Sequence, residues 1–200
     1  MRLIKGIIMR IGVIGILVII ALVTGFYLYS LSPSILGRAI PVAVSPEAAQ
    51  SFDDKIEAAD TQIKSAIEER QEREINLSIT ESEANSKLVQ LLAEGKLPLK
   101  RVLVNFGDGY FLIYGVVDAP IIDAKMAAIG RITVSDGKPT VVLDEYNLGK
   151  LPLPPSAKNR AQQVANILVS LQIADVPLNV NSVELSGHQI IVSGTAKTVE

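Results

Sequence analysis

The sequence predicts an α+β protein in which an N-terminal transmembrane helix is followed by a curved antiparallel sheet packed with two or three helices. Three observations carry that expectation. Ile11 to Leu31 runs for 21 residues without a charged side chain. Between Pro46 and Arg70, apolar residues recur every three or four positions, the period of a helix with one buried face. After Pro98 the chain changes to alternating apolar runs broken at Gly107-Asp108-Gly109 and at Ser135-Asp136-Gly137-Lys138, which carry the Asp-Gly pairs that tight hairpin turns favour.

At about 1.5 Å rise per residue, Ile11 to Leu31 is long enough for the roughly 30 Å hydrocarbon layer of a bilayer. Arg2, Lys5 and Arg10 precede the stretch and only Arg38 follows it closely. That bias assigns residues 1–10 to the cytoplasm as a basic tail and everything after residue 31 to the outside. Phe26, Tyr27 and Tyr29 gather at its distal end, where amphipathic rings settle among lipid headgroups. A cleaved signal peptide would have an apolar core of only about 7 to 15 residues, and Pro33 after Ser30-Leu31-Ser32 disfavours cleavage. The mean hydropathy of +0.35 follows from this segment. The chain has no cysteine, which excludes disulfides, thiolate metal sites and a lipidated cysteine. The expected setting is therefore the cell membrane, crossed once, with the bilayer as first partner.

Residues 1–38 hold four Lys/Arg and no acid, leaving 15 bases against 21 acids, or −6, for residues 39–200. That balance argues against a nucleic-acid partner. The charge is uneven: residues 47–94 carry 5 bases and 12 acids, whereas residues 96–160 carry 9 and 6.

Pro33, Pro41 and Pro46 mark residues 32–45 as a linker that cannot continue a membrane helix. The extracytoplasmic domain then covers residues 46–200. It opens with a long, acidic, amphipathic helix over residues 46–73, with Phe52, Ile56, Ala59, Ile63, Ala66 and Ile67 on its apolar stripe. Ile75, Leu77 and Ile79 alternate with polar residues as in a half-buried strand. Thr80 and Glu83 have the spacing of a capping box, so a second helix starts there, faces the core with Leu88, Leu91 and Leu92, and stops at Gly95. Glu81 and Glu83 fit the positive end of that helix and need no catalytic role. Strands follow over about residues 100–106, 110–118, 124–135 and 140–146. Ser156 caps an expected third helix with Ala161, Val164, Ile167, Leu168 and Leu171 inward, and a last hairpin covers about residues 179–197.

A shift of 79 residues sets Val176–Ala196 beneath Leu97–Val117: Pro98 meets Pro177, Leu99 meets Leu178, Val104 meets Val183 and Gly115 meets Gly194. Both units read helix, Pro, strand, turn, strand. In this frame Gly107-Asp108-Gly109 lies over Ser186-Gly187-His188, a turn in both copies and not a calcium or phosphate loop, because neither copy supplies the further ligands. His188, the single histidine, is expected as a solvated turn residue. No nucleophile elbow, phosphate loop or dinucleotide fingerprint is present, so the domain is expected to be non-catalytic, without cofactor or metal. Carboxylate chemistry would have to use Asp118, Asp123, Asp144 or Glu145 at strand ends.

Residues 110–117 are apolar on both faces, which requires cover on both sides: helices, another layer of strands, or an apolar ligand. On the next strand Ala124, Met126, Ala128, Gly130 and Ile132 place mostly small side chains on one face. That leaves room for a helix or for an acyl chain.

The stretches INLSITESEANSKLVQLL, VLVNFGDGYFLIYGVV and LGKLPLPP resemble the YpmS-like small membrane-anchored bacterial proteins. Their fold is similar to half of a tubular lipid-binding (TULIP) domain, a curved antiparallel sheet wrapped around a long helix. The resemblance covers roughly residues 75–197 and implies an apolar groove that holds lipid; the acidic helix before Ile75 has no counterpart in it. The expected groove lining is Leu112, Tyr114, Val116, Met126, Ala128 and Ile132, with Lys96, Lys100, Arg101, Lys125 and Arg131 meeting anionic headgroups. Lipid or hydrophobic-ligand binding is thus the leading expectation. The alternative is a scaffold domain whose groove is filled by its own helices and whose acidic helix docks another envelope protein.

Overall fold

The computed structural model describes residues 22, 24, 25, 27, 28, 31–97, 99–117, 123–152 and 178–196. The expected third helix from Ser156 to Leu171, the basic tail 1–10 and most of Ile11–Leu31 lie outside these residues. No helix among the described residues is long and apolar enough to cross a membrane.

The described chain is α+β. A 3-10 turn at Ser34–Arg38 leads to α1 (Pro46–Glu68), β1 (Glu74–Thr80), α2 (Glu81–Ala93), β2 (Arg101–Gly107), β3 (Tyr110–Val117), β4 (Ala124–Ser135), β5 (Lys138–Leu148), β6 (Leu151–Pro152), β7 (Leu178–Ser186) and β8 (Gln189–Ala196). The Ser45 side chain accepts the Ala48 N–H at 3.1 Å and Pro46 occupies the first turn, so α1 starts where its sequence signals place it. It ends on Arg70 at φ 54, with the Gln71 N–H bonded to Ala66 O and the Arg70 N–H to Ile67 O. The end of α2 is the same motif built on Gly95 at φ 68, with Lys96 N–H on Leu91 O and Gly95 N–H on Leu92 O.

The strands form two antiparallel sheets: a meander of five in the order β2-β3-β4-β5-β6, and three in the order β1-β8-β7. The expectation of a single antiparallel sheet is therefore corrected to two sheets. The physical reason lies at β7, whose free edge receives the tips of the larger sheet end-on. The Gly109 N–H donates to Leu185 O at 2.8 Å, and the Val180 N–H donates to Gly137 O at 3.0 Å. Backbone groups that would recruit a neighbouring strand are bonded to turns instead. Gly107-Asp108-Gly109 is thus a turn, with Gly109 at φ 78, that fixes one sheet against the other. The two hairpins aligned by the shift of 79 both form, but in different sheets, and β7 carries a register shift between Val180 and Ser182 that β2 lacks. The helix of the second unit is outside the described residues.

Two apolar clusters sit on either side of this junction. Ile63 and Ala66 of α1 pack on Ile75 and Ala196 of the small sheet, with Ala59, Ile67 and Leu178 around them. Leu112, Ala127 and Ile129 of the large sheet pack under Ile35, with Ala39 and Tyr114 at the margin. The linker is therefore part of the fold and not a free tether. Its backbone is bonded in as well: the Ile40 N–H donates to Asn105 Oδ1 at 3.0 Å, and Asn105 Nδ2 returns a bond to Ile40 O at 2.9 Å.

The first half of α2 joins these parts. The expectation that Leu88, Leu91 and Leu92 carry its core face is corrected: they are half-buried, and the buried residues are Glu81, Glu83, Asn85 and Ser86. Asn85 accepts the Val104 N–H at 2.8 Å and donates to Val104 O at 2.7 Å, pairing with the outer edge of β2 as a strand would. Glu81 accepts the Phe106 N–H two residues along the same edge. Glu83 closes the capping box with Thr80 and receives Ser51 Oγ at 2.6 Å and Lys55 Nζ at 2.8 Å from α1. Lys55 also donates to Ser78 O at 2.9 Å, on β1.

Two outcomes follow. Burial alone would raise the Glu83 carboxyl, but the bonds from Lys55, Ser51 and Thr80 outweigh it and hold the group at about 2, below its ordinary 4.5. A depressed carboxylate stabilises the fold above its unfolded value, and that stabilisation disappears as pH falls from about 4.5 through about 2. Its size is about 3 kcal/mol, because lowering a carboxyl by one pH unit is worth about 1.36 kcal/mol. Urea unfolding of wild type should lose this amount across that window, whereas Glu83→Gln should be less stable at neutral pH and lose less on acidification. The second outcome concerns Gly130. A Cβ there would lie 2.6 Å from Val142 O and 2.7 Å from the Phe111 ring, its cross-strand partner. Gly130→Ala should cost about 1–3 kcal/mol by overpacking, read as a lowered thermal midpoint.

Candidate ligand groove

Directly opposed residues of an antiparallel pair share a face. The register of the large sheet puts Arg101, Val116 and Lys125 in one cross-strand row, Leu103, Tyr114 and Ala127 in the next, and Asn105, Leu112 and Ile129 in a third, all on one face. The other face carries Val102, Gly115 and Met126, then Val104, Ile113 and Ala128, then Phe106, Phe111 and Gly130, with Ile132 farther along β4. The expected lining therefore divides. Leu112, Tyr114 and Val116 lie on one side of the sheet; Met126, Ala128 and Ile132 lie on the other.

Their surroundings differ accordingly. Leu112 is buried to 1% exposure beneath Ile35, and Val116 is buried too, so neither lines open space. Met126 is 38% exposed on the opposite face beside Ile113, also 38%. The space above Gly130, which the sequence left open for an acyl chain, is taken by the Phe111 ring. Of the six, Tyr114 lines a groove.

That groove has a volume of about 450 Å³ and is walled by Val89 and Leu92 of α2, Leu36 of the linker turn, and Val102, Leu103 and Tyr114 of the large sheet, with Lys100 and Arg101 at the strand start. Its position follows from the composition of α2. The polar stripe that closes the edge of β2 ends at Asn85, and the next residue on the same face, Val89, has nothing to donate or accept. The helix and the strand edge thus continue side by side with an apolar cleft between them. Burial raises the Tyr114 hydroxyl above its ordinary value, and the positive charge of Arg101 offsets part of that rise. The phenol is therefore neutral at physiological pH and carries an O–H able to donate.

The five expected headgroup contacts also divide. Lys100 and Arg101 flank the groove, and Lys125 stands in the row of Arg101, across Val116. Lys96 is instead paired with Glu94 at 2.7 Å beside the end of α2. Arg131 makes a two-pronged pair with Asp144, at 3.0 and 3.1 Å, six residues along β4 from Lys125. Lys100, at the end of the groove, also pairs with Asp123 at 2.8 Å.

A second groove of about 460 Å³ lies on the other flank of Val89, against Val44, Pro46 and Ala49 at the start of α1. Ser45, Gln50, Asp53, Ser86 and Gln90 supply its polar groups, and its lining contains no base. The strand-end carboxylates do not converge: Asp123 and Asp144 hold the pairs above, Glu145 faces Arg38 at 3.9 Å, and Asp118 lies outside the described residues. Among the described residues no three His, Asp or Glu side chains gather as metal ligands would. His188 differs from the expected solvated turn residue in one respect. It sits on the β7–β8 turn at φ 64, its carbonyl accepts the Glu81 N–H at 2.9 Å, and its Nδ1 lies 3.3 Å from Glu81 Oε1. It therefore fastens the turn to the start of α2, a contact between residues 107 apart that no local pattern signals.

No protein-family model matches the chain, and no curated protein matches it.

Proposed function

We propose that the protein is anchored by Ile11–Leu31 with its C-terminal domain outside the cytoplasm, and that this domain binds an amphiphilic anion without transforming it. The observation behind this reading is the pairing of an apolar groove with Lys100 and Arg101 at one end of it. Its volume falls within the range of about 300–1,000 Å³ typical of small-molecule sites. An acyl chain suits Val89, Leu92, Val102 and Leu103; a phosphate or carboxylate suits the two bases, and the Tyr114 hydroxyl can donate to the same group. The alternative, a scaffold domain that holds a protein partner, draws support from Ile35 and Ala39, which fill the part of the same face that carries Leu112.

A photoactivatable phosphatidylglycerol incorporated with the full-length protein into vesicles tests the reading. Crosslinks outside the anchor should map to residues 88–92 and 101–103. Val89 is 42% exposed, so Val89→Trp should fold and fill the cleft, and crosslinking there should fall about tenfold, the equivalent of about 1.4 kcal/mol. Met126→Trp, on the opposite face, should leave it unchanged. Crosslinks confined to residues 11–31, or insensitive to Val89→Trp, would remove the lipid reading and leave the scaffold reading.

A further inference from the structure

The groove accounts for Lys100 and Arg101 but not for the bases beside them. Arg101, Val116 and Lys125 lie in line across β2, β3 and β4. The Lys125 carbonyl accepts the Gly149 N–H at 2.8 Å, and the next residue, Lys150, donates its own N–H to Leu28 O at 2.9 Å. A continuous row thus crosses the sheet from Lys100 and Arg101 through Lys125 to Lys150 and ends on the backbone of the N-terminal apolar segment. With strands about 4.8 Å apart, β2, β3, β4 and the β5–β6 turn that carries Lys150 span only about 15 Å. Lys100, Arg101 and Lys150 are exposed and Lys125 is half-buried. Among the described acids near this end, Asp123 is paired with Lys100 and Glu94 with Lys96.

The far end of the same sheet has the opposite character. Its turns carry Asp108 and Asp136, both exposed, with Lys138 beside the latter. The twelve residues of β4 separate the two ends by about 40 Å at 3.3 Å per residue, several times the Debye length of about 8–10 Å. A charged surface at one end is therefore not felt at the other.

We infer that the row of Lys100, Arg101, Lys125 and Lys150 seats the domain, strand ends first, on the anionic headgroups of the leaflet from which the N-terminal segment emerges. This rests on reading Ile11–Leu31 as a membrane span. The partner is chosen by position as well as by charge: the Lys150–Leu28 bond puts the row at the exit of the anchor, where the surface nearest to it is the bilayer itself. Bases within a Debye length of a leaflet that carries anionic lipid are attracted to it. The far turns then point away from the membrane, with the junction to β7 and the small sheet beyond them.

Hydrogen exchange of the full chain in nanodiscs tests the inference, comparing phosphatidylcholine alone with an equal mixture of phosphatidylcholine and phosphatidylglycerol. Amides of residues 99–103, 123–127 and 148–152 should exchange severalfold more slowly in the anionic discs, while those of residues 106–110 and 134–138 stay the same. The difference should vanish in high salt and in the double variant Lys125→Gln, Lys150→Gln, whose unchanged exchange at the far turns reports an intact fold. Lys125→Arg with Lys150→Arg should restore it. Neither lysine lines the groove, so lipid crosslinking at residues 88–92 should persist in the glutamine variant, which separates docking from ligand binding. Equal exchange in both lipids, or protection that survives high salt and the glutamine variant, overturns the docking alone. Release of the wild type from membranes by alkaline carbonate overturns the anchor and the docking together.

Discussion

The outer edge of β2 is closed by the side chains of a helix, and the rest of the described structure depends on that arrangement. An unpaired strand edge invites another chain, and an unpaired buried amide costs about as much as a lost hydrogen bond. Here Asn85 gives Val104 both of the bonds that a neighbouring strand would give, and Glu81 serves Phe106. These side chains reach the edge only if the first turn of α2 is held in one position. Thr80, Ser51 and Lys55 hold it through Glu83, and His188 holds it through Glu81. One helical turn therefore connects α1, β1, β2 and the β7–β8 hairpin. Buried carboxylates are tolerable there because each is hydrogen-bonded, and because the start of a helix favours negative charge.

The groove is the complement of that closure. A helix of 13 residues extends for about 20 Å, yet its polar stripe serves only the second half of the β2 edge, at Val104 and Phe106. Where the stripe gives way to Val89 and Leu92, helix and strand remain parallel neighbours and the bonding stops. A fully polar stripe would have left no cleft, and a fully apolar helix would have left the edge of β2 unpaired. The change of character within α2 is what allows one element to be structural at one end and a candidate binding wall at the other.

How much of this was legible in the sequence depended on the range of the signal. Local chemistry read well: Pro46 places the start of α1, Thr80 and Glu83 the start of α2, Gly95 its end, and the limits of β4 coincide with Ala124 and Ser135 as expected. Pairing between segments did not. Alternation along β4 separates Met126 and Ala128 from Ala127 and Ile129, but nothing in it says which pair lies beside Leu112 and Tyr114. A register shift of one residue exchanges the faces, and the wrong choice sent half of the expected lining to the far side of the sheet. The linker was misread for a related reason. Between Pro33 and Pro41 the chain makes only a single 3-10 turn, but Ile35 on that turn is buried by a sheet that begins 66 residues later. The division into two sheets was hidden as well, because end-on bonds from Gly109 and Gly137 to β7 leave no periodic trace.

Arg101 belongs to two arrangements at once, and that overlap bears on how a ligand would arrive. It borders the groove beside Tyr114, and it begins the basic row that ends at Leu28. If the row rests on headgroups, the mouth of the groove lies at the membrane surface. An amphiphile could then move from leaflet to cleft by exchanging one anionic environment for a basic one, its chain passing between apolar surroundings without full exposure to water. The cost of exposing a chain is about 0.8 kcal/mol per methylene, so the shorter route matters more as the chain lengthens. A soluble anion of the same charge gains nothing from that geometry. The proposed placement therefore favours ligands already dissolved in the bilayer over those that arrive from solution.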